Sequence, residues 1–296
     1  MVAGARSGYH QRMSKHASQN AGAPKVILVT GASSGIGWAT AERFHLAGHK
    51  VFGTSRSAEA RGPAGVTMVA LDVEHDESVQ ACIRRVLDDA GRVDVLVSNA
   101  GRLVFGPSEE VPLADAQRLF ETNFWGSVRV VNALLPGMRA RRAGQVILVG
   151  SMSAWVTMPL NAFYSASKAA LARYAEALRH ETMHLGIQVA LVEPSEIATP
   201  FWERGLKVPS RFSDYLPIRE PIFAGLPSLF AGAPQPARLA AVIEAIAGEA
   251  DPKPIYRFGG LARRMPWMRV LVPARAFERG FRKQFGLGTR SHSPGE

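Results

Sequence analysis

The sequence is poor in cysteine, in long apolar runs and, toward its C-terminus, in negative charge. A single cysteine, Cys82, in 296 residues excludes an internal disulfide and fits a reducing compartment. It falls within "DESVQACIRRVLDDAG", an amphipathic helical pattern in which a thiol is buried and inert. No apolar run approaches the roughly 20 residues that a membrane-spanning helix needs. Histidine does not compensate as a metal ligand. His180 and His184 share one helix four residues apart, but no carboxylate–histidine set of ligand spacing surrounds them, and no metal is expected. The first 24 residues are polar, basic and aperiodic. They lack the apolar core of a secretory signal and are expected to form a disordered leader on a cytoplasmic protein. Between Lys253 and Arg290 only Glu278 is acidic, so much of the net charge of +10 belongs to this one segment.

A hydrophobic content of 47% is ordinary for a packed globular protein. From Lys25 onward, short β-branched runs alternate with helical patterns. "KVILVT", "KVFGTS", "VTMVALDV", "VDVLVSNAG", "QVILVGS" and "IQVALVEP" are near-continuous apolar runs, as strands covered on both faces require. Between them lie expected helices from about Ile36 to Leu46, around Cys82, from about Leu113 to Met138, and from about Ala162 to Leu185. Repeated β–α units of this size predict an α/β fold, a doubly wound parallel sheet of Rossmann type. A single domain over residues 25–260 is expected. Residues 199–236 are rich in proline and aromatics and read as an irregular substrate lid. A helix from about Ala237 to Gly248 follows. Residues 261–296 form a basic amphipathic extension that either packs by its apolar side or lies on an anionic membrane. No nucleic-acid recognition motif accompanies the charge.

"VTGASSGIG" closes the first strand and opens the first helix. Gly31, Gly35 and Gly37 allow a tight turn, so that the amides of Ser33, Ser34 and Ile36 at a helix start can face a pyrophosphate. A cofactor with a free ribose 2′-OH wants a carboxylate about 20 residues further on. The sequence offers "FGTSRS" there. Arg56, helped by serine hydroxyls, suits a 2′-phosphate instead, which points to NADP(H).

"AFYSASKAAL" places Tyr164 and Lys168 one helical turn apart on one face, separated by small residues. Together with "TGASSGIG", "NAG" at Asn99–Gly101, Asn123 in "ETNFWG" and Ser151, this ordered set resembles the classical short-chain dehydrogenases/reductases, over about Lys25 to Thr199. "EPSEIATPF" and the aromatic segment behind it look most like the hydroxysteroid and retinol dehydrogenase branch. The resemblance implies a catalytic set of Asn123, Ser151, Tyr164 and Lys168. An ammonium beside a phenol favours the phenolate, which would make Tyr164 a general acid/base. Lys168 would also contact the nicotinamide ribose. Ser151 would bind the substrate oxygen beside Tyr164, and Asn123 would hold a water that links the lysine to solvent. Asp72 and Val73 would meet the adenine, and Asn99, Ala100 and Gly101 would pass under its ribose. Ile197 and Thr199 would hold the carboxamide.

Ser195 stands where the family has glycine and is expected to reshape the nicotinamide pocket. The implied activity is interconversion of a hydrophobic ketone or aldehyde with an alcohol, in a homodimer or homotetramer. A catalytically silent dinucleotide sensor on the same fold is the alternative. Arg56→Asp should move cofactor preference toward NAD(H) by about tenfold or more in kcat/KM, measured with both cofactors.

Overall fold

A computed structural model describes residues 23–57, 59–285 and 287. All but the end of the expected leader (1–24) lies outside the described residues, as does Arg290. The elements in order are β1 (Val26–Val29), α1 (Gly35–Leu46), β2 (Lys50–Ser55), β3 (Thr67–Ala70), α2 (Asp76–Ala90), β4 (Val95–Ser98) and β5 (Val104–Phe105). They continue with α3 (Leu113–Phe120), α4 (Gly126–Arg141), β6 (Gly144–Val149), α5 (Ala162–Thr182), β7 (Ile187–Pro194) and β8 (Leu206–Lys207). The chain ends with α6 (Leu216–Ala231), α7 (Pro236–Gly248), β9 (Ile255–Phe258), α8 (Gly260–Leu271) and α9 (Ala274–Gln284).

Seven parallel strands form the central sheet in the order β3-β2-β1-β4-β6-β7-β9. Alternate residues of each strand serve opposite faces. Leu28, Phe52, Leu96, Val146 and Leu191 point to one core beneath α2, α4 and α5. Ile27, Val29, Val95, Val97, Ile147 and Val192 point to the other, closed by Phe44 of α1 and by Leu239, Ile243 and Ile246 of α7. Because the strands are buried on both sides, their near-continuous β-branched runs mark them in the sequence. The strand order reverses between β1 and β4, and the carboxyl ends of those strands open a crevice.

Three features differ from the sequence expectations. The helix expected from about Leu113 to Met138 contains a π turn at Glu121–Trp125, between α3 and α4. Such a turn inserts a residue into the helical repeat, and here Asn123 is fully buried. The 199–236 segment is not irregular throughout. It contains the 16-residue α6 despite internal Pro221 and Pro227, because tertiary packing of Ile222, Phe223 and Leu226 outweighs their helix-breaking tendency. "IYRF" joins the sheet as its seventh strand, beside β7.

That last pairing accommodates Ser195. Its amide donates to the Phe258 carbonyl (2.9 Å), and its hydroxyl lies where a side chain on Gly259 would stand. Gly259 holds φ 99° and ψ 157°, a region essentially confined to glycine. Gly259→Ala should therefore cost about 1–3 kcal/mol in chemical denaturation, and the loss should shrink when Ser195→Gly is added.

Candidate active site

The crevice is a cavity of about 720 Å³ that runs from the glycine loop to the aromatic segment and the C-terminal helices. Its floor is fixed where β1 meets β4. The Thr30 hydroxyl accepts from the amides of Asn99 (2.9 Å) and Ala100 (3.0 Å), and the Asn99 side chain donates to the Thr30 carbonyl (3.0 Å). Gly31 (φ 68°) and Gly35 (φ 57°) turn the chain into α1. A Cβ on Gly31 would stand 3.1 Å from Ala100 Cα, and one on Gly35 would stand 3.2 Å from Thr199 Cγ2. This cradle is backbone-lined and sits ahead of a helix N-terminus, a geometry that suits a phosphate. Ser33, Ser34, Ile36, Arg56, Asp72, Val73, Gly101, Ile197 and Thr199 also line the cavity. No carboxylate ends β2; Ser55, exposed Arg56 and Ser57 lie there. The residues present thus fit a dinucleotide.

Two predicted residues do not reach the cavity wall. Gly37 faces Gly31 and Asn99, where a Cβ would collide with the Gly31 carbonyl; it packs the helix against the loop. Asn123 is buried behind the wall. Its side-chain oxygen accepts from the Arg102 amide (2.8 Å), and its nitrogen donates to the Arg102 carbonyl (3.0 Å) and to Ser167 Oγ (3.1 Å). These three bonds hold the Gly101–Arg102 segment against α5.

Ser151, Tyr164 and Lys168 converge on the cavity. Ser151 follows β6, and its hydroxyl accepts from the Ser153 amide (3.0 Å), which caps a short turn at Met152–Ala154. Lys168 donates to the Val149 carbonyl (2.9 Å), with its ammonium 5.9 Å from the centroid of the Tyr164 ring. Enclosure adds a second effect to the electrostatic expectation. Burial pushes the Tyr164 phenol up to about 12, opposed only by its hydrogen bond with Ser151. Burial also lowers Lys168 to about 8. Both charged forms are desolvated, so in the protein alone the phenol keeps its proton.

The other end of the cavity contains residues that the sequence did not single out. Glu110 is fully buried and accepts from the amides of Arg211 (2.7 Å) and Phe212 (2.8 Å) and from Arg219 of α6 (3.3 Å). Arg219 also hydrogen-bonds the Val208 carbonyl. Burial would raise the Glu110 carboxyl; the two amides and the nearby guanidinium groups reverse this and hold it below its ordinary value. One carboxylate thus latches the lid, and a two-stranded ribbon of β5 and β8 adds backbone pairing. Behind Ser151, Trp155 donates to both oxygens of buried Glu193 (2.9 and 3.0 Å), and Arg257 of β9 joins at 3.1 Å. This cluster ties the turn after Ser151 to β7 and β9. Arg204 of the lid reaches Ser34 Oγ (3.2 Å) across the glycine loop. The walls here are apolar: Leu103, Phe105 and Met158 from the core, with Phe201, Trp202 and Phe230 from the lid. Trp202 and Phe230 stack at 5.5 Å. Leu261, Met265, Phe281 and Phe285 of the C-terminal extension complete the lining. In the sequence, the acidic pair Glu109–Glu110 inside a proline-flanked apolar stretch was the available signal for the latch.

A parallel doubly wound sheet with a glycine-loop cradle, a strand-end serine and a Tyr–Lys helix face defines a class of dinucleotide-binding folds. The family model described as short chain dehydrogenase matches residues 25–207, and the chain belongs to that family, in its hydroxysteroid and retinol dehydrogenase-like branch. It is 39% identical over 178 residues to a 3-ketodihydrosphingosine reductase of Bacteroides thetaiotaomicron, covering 60% of this chain and 66% of that protein. It is 38% identical over 195 residues to retinol dehydrogenase 8 of Homo sapiens, covering 61% of each. The chain thus spans less than two thirds of the length of these curated relatives. A solved short-chain dehydrogenase from Streptomyces avermitilis is 33% identical with a TM-score of 0.76, covering 90% of this chain and 98% of that one.

Lys168 generates a pH prediction. Its folded value of about 8 lies below its ordinary 10.5, so between those values the unfolded chain holds the extra proton and stability rises with pH. Relative to Lys168→Met, the wild type should gain up to about 3 kcal/mol between pH 8 and 10.5, read from denaturant midpoints of the two proteins.

Proposed function

We propose that the protein is an NADP(H)-dependent oxidoreductase that interconverts a hydrophobic ketone or aldehyde with its alcohol. The observation that carries this reading is the convergence of Ser151, Tyr164 and Lys168 on a cavity with serines and Arg56 at one end and apolar walls at the other. Gly31, Gly35, Ser33, Ser34 and Arg56 would hold the phosphates. Asp72, Val73, Asn99, Ala100 and Gly101 would flank the adenosine, and Ile197 and Thr199 would flank the carboxamide. Bound there, the cofactor supplies or takes the hydride. Names among the relatives, a 3-ketosphingoid reductase and a retinol dehydrogenase, agree with a lipophilic substrate.

The roles of the chain's own residues follow from their state. A phenol raised to about 12 is protonated at neutral pH and can give its proton to a carbonyl oxygen as that oxygen gains electrons. Ser151 would hold the same oxygen by its hydroxyl. The ammonium of Lys168, largely charged below about 8, would stabilise the phenolate left behind. In the reverse direction the phenolate takes the alcohol proton. Electrostatics therefore favour reduction at neutral pH, with Tyr164 as the acid. Asn123 would act as a positioning residue. Subunit pairing into a dimer or tetramer rests on the family resemblance.

Tyr164→Phe should lower turnover by about 10²- to 10⁴-fold, while cofactor affinity by fluorescence titration stays close to wild type. The wild-type reduction rate should fall as pH rises through about 8, where Lys168 gives up its charge. Tight cofactor binding by a wild type inert toward every ketone, aldehyde and alcohol in a broad panel would leave the silent sensor instead.

A further inference from the structure

We propose that α8 and α9 form a docking surface for an anionic lipid bilayer at the mouth of the substrate cavity. Two independent properties of this helix pair lead there. The first is an apolar outer stripe. On α8 the inner side buries Ala262, Met265 and Pro266, whereas Trp267 is 66% exposed, Met268 43%, and Val270 and Leu271 74% each. Trp267, Val270 and Leu271 share one helical face with Arg263 and Arg264. Other exposed large apolar side chains among the described residues stand apart in the sequence, as single ones do on any soluble surface. Four within five residues form a patch.

The second property is charge. Arg263, Arg264 and Arg269 of α8 are exposed, as are Arg275, Arg279, Arg282 and Lys283 of α9. The single acid in this pair of helices, Glu278, lies 3.9 Å from Arg282. On α9, Phe277 and Phe281 stack at 5.9 Å. Phe281 and Phe285 line the cavity, so the apolar side of this helix is inward and its basic side outward.

The occupant follows from these two properties together. A second copy docking isologously would set arginines against arginines with almost no carboxylate to receive them. A nucleic acid would satisfy the charge and leave the tryptophan–valine–leucine stripe unused. An anionic bilayer takes both: headgroups neutralise the arginines while the stripe enters the acyl boundary. The same helices contribute Leu261, Met265, Phe281 and Phe285 to the cavity, so docking would bring the membrane against the substrate opening. That link to substrate delivery rests on the lipophilic-substrate reading above; the docking does not.

The test is co-sedimentation of the full chain with sucrose-loaded vesicles of phosphatidylcholine, with or without phosphatidylserine. The variants are Trp267→Ser/Leu271→Ser and Arg264→Gln/Arg275→Gln, each compared by thermal melting and by cofactor titration. Wild type should bind the anionic vesicles, more weakly as salt rises, and either double variant should bind about tenfold less. Both variants should melt and bind cofactor as wild type does. Absence of binding to anionic vesicles, or equal binding by all three proteins, overturns the proposal. So does a lipid-free wild-type dimer that Trp267→Ser/Leu271→Ser converts to monomer, which assigns the face to self-association. Vesicle binding by a wild type that takes no cofactor would leave the docking standing and remove the oxidoreductase reading.

Discussion

The joint between the carboxyl ends of β1 and β4 is the constraint on which the rest of the site depends. At that point neighbouring strands receive their next connections on opposite faces of the sheet, and the backbone separates into a crevice. Thr30 holds the two lips together by three hydrogen bonds of 2.9–3.0 Å, two from Asn99 and one from Ala100. They fix the height of the glycine loop relative to the strand that leads to Gly101. From Gly101 the chain meets Asn123, and from Asn123 it meets Ser167 on the helix that carries Tyr164 and Lys168. Part-buried hydrogen bonds at Thr30, the covalent Ala100–Arg102 segment and the bonds of buried Asn123 therefore connect the proposed cofactor cradle to the helix of the proposed proton donor. Each hydrogen-bonding group along this path is satisfied by another member, as a buried polar network must be.

Desolvation, rather than the Tyr–Lys pairing alone, sets the character of the proposed reacting groups. In water an ammonium one turn from a phenol would favour the phenolate. Inside the cavity both residues lose hydration, and each is driven toward its neutral form. The Val149 carbonyl receives the Lys168 ammonium, which leaves Tyr164 with Ser151 as its immediate partner. Such a pair is set to donate a proton before it is set to accept one. A positive charge arriving beside the ring would be needed to reverse that balance, and the proposed oxidised nicotinamide carries one.

The two ends of the cavity are built by different means. Rigid backbone and small polar side chains form the proposed cofactor end, where a fixed shape is required. Apolar side chains from the 199–236 segment and the C-terminal helices form the proposed substrate end, held in place by a few buried charges. Glu110 gathers two backbone amides and Arg219 from a segment about a hundred residues away, and Glu193 gathers Trp155 and Arg257. Removing either carboxylate would leave its partners without their acceptor, which is how a single polar residue can govern an apolar wall.

Strands β1 to β4, β6 and β7 and the helices between them were legible because two-sided burial forces long β-branched runs, and one-sided burial forces a helical repeat. The glycine turn, Arg56 and the Tyr–Lys spacing were legible because each depends on neighbours close in sequence. Other features had no local signature. The π turn at Asn123 arises from packing around the long helix. The helix through Pro221 and Pro227 exists only because Ile222 and Leu226 find a core. The Glu110 latch joins residues distant in the chain, and the raised phenol and lowered ammonium follow from the enclosure around them. The amino-acid order by itself determined six strands of the sheet, the cradle and the identity of the chemical groups, since those depend on periodicity and spacing. Only the tertiary structure decided which groups lose water, which segments close the cavity and which face of the basic helices remains outside, since burial is a property of the folded whole.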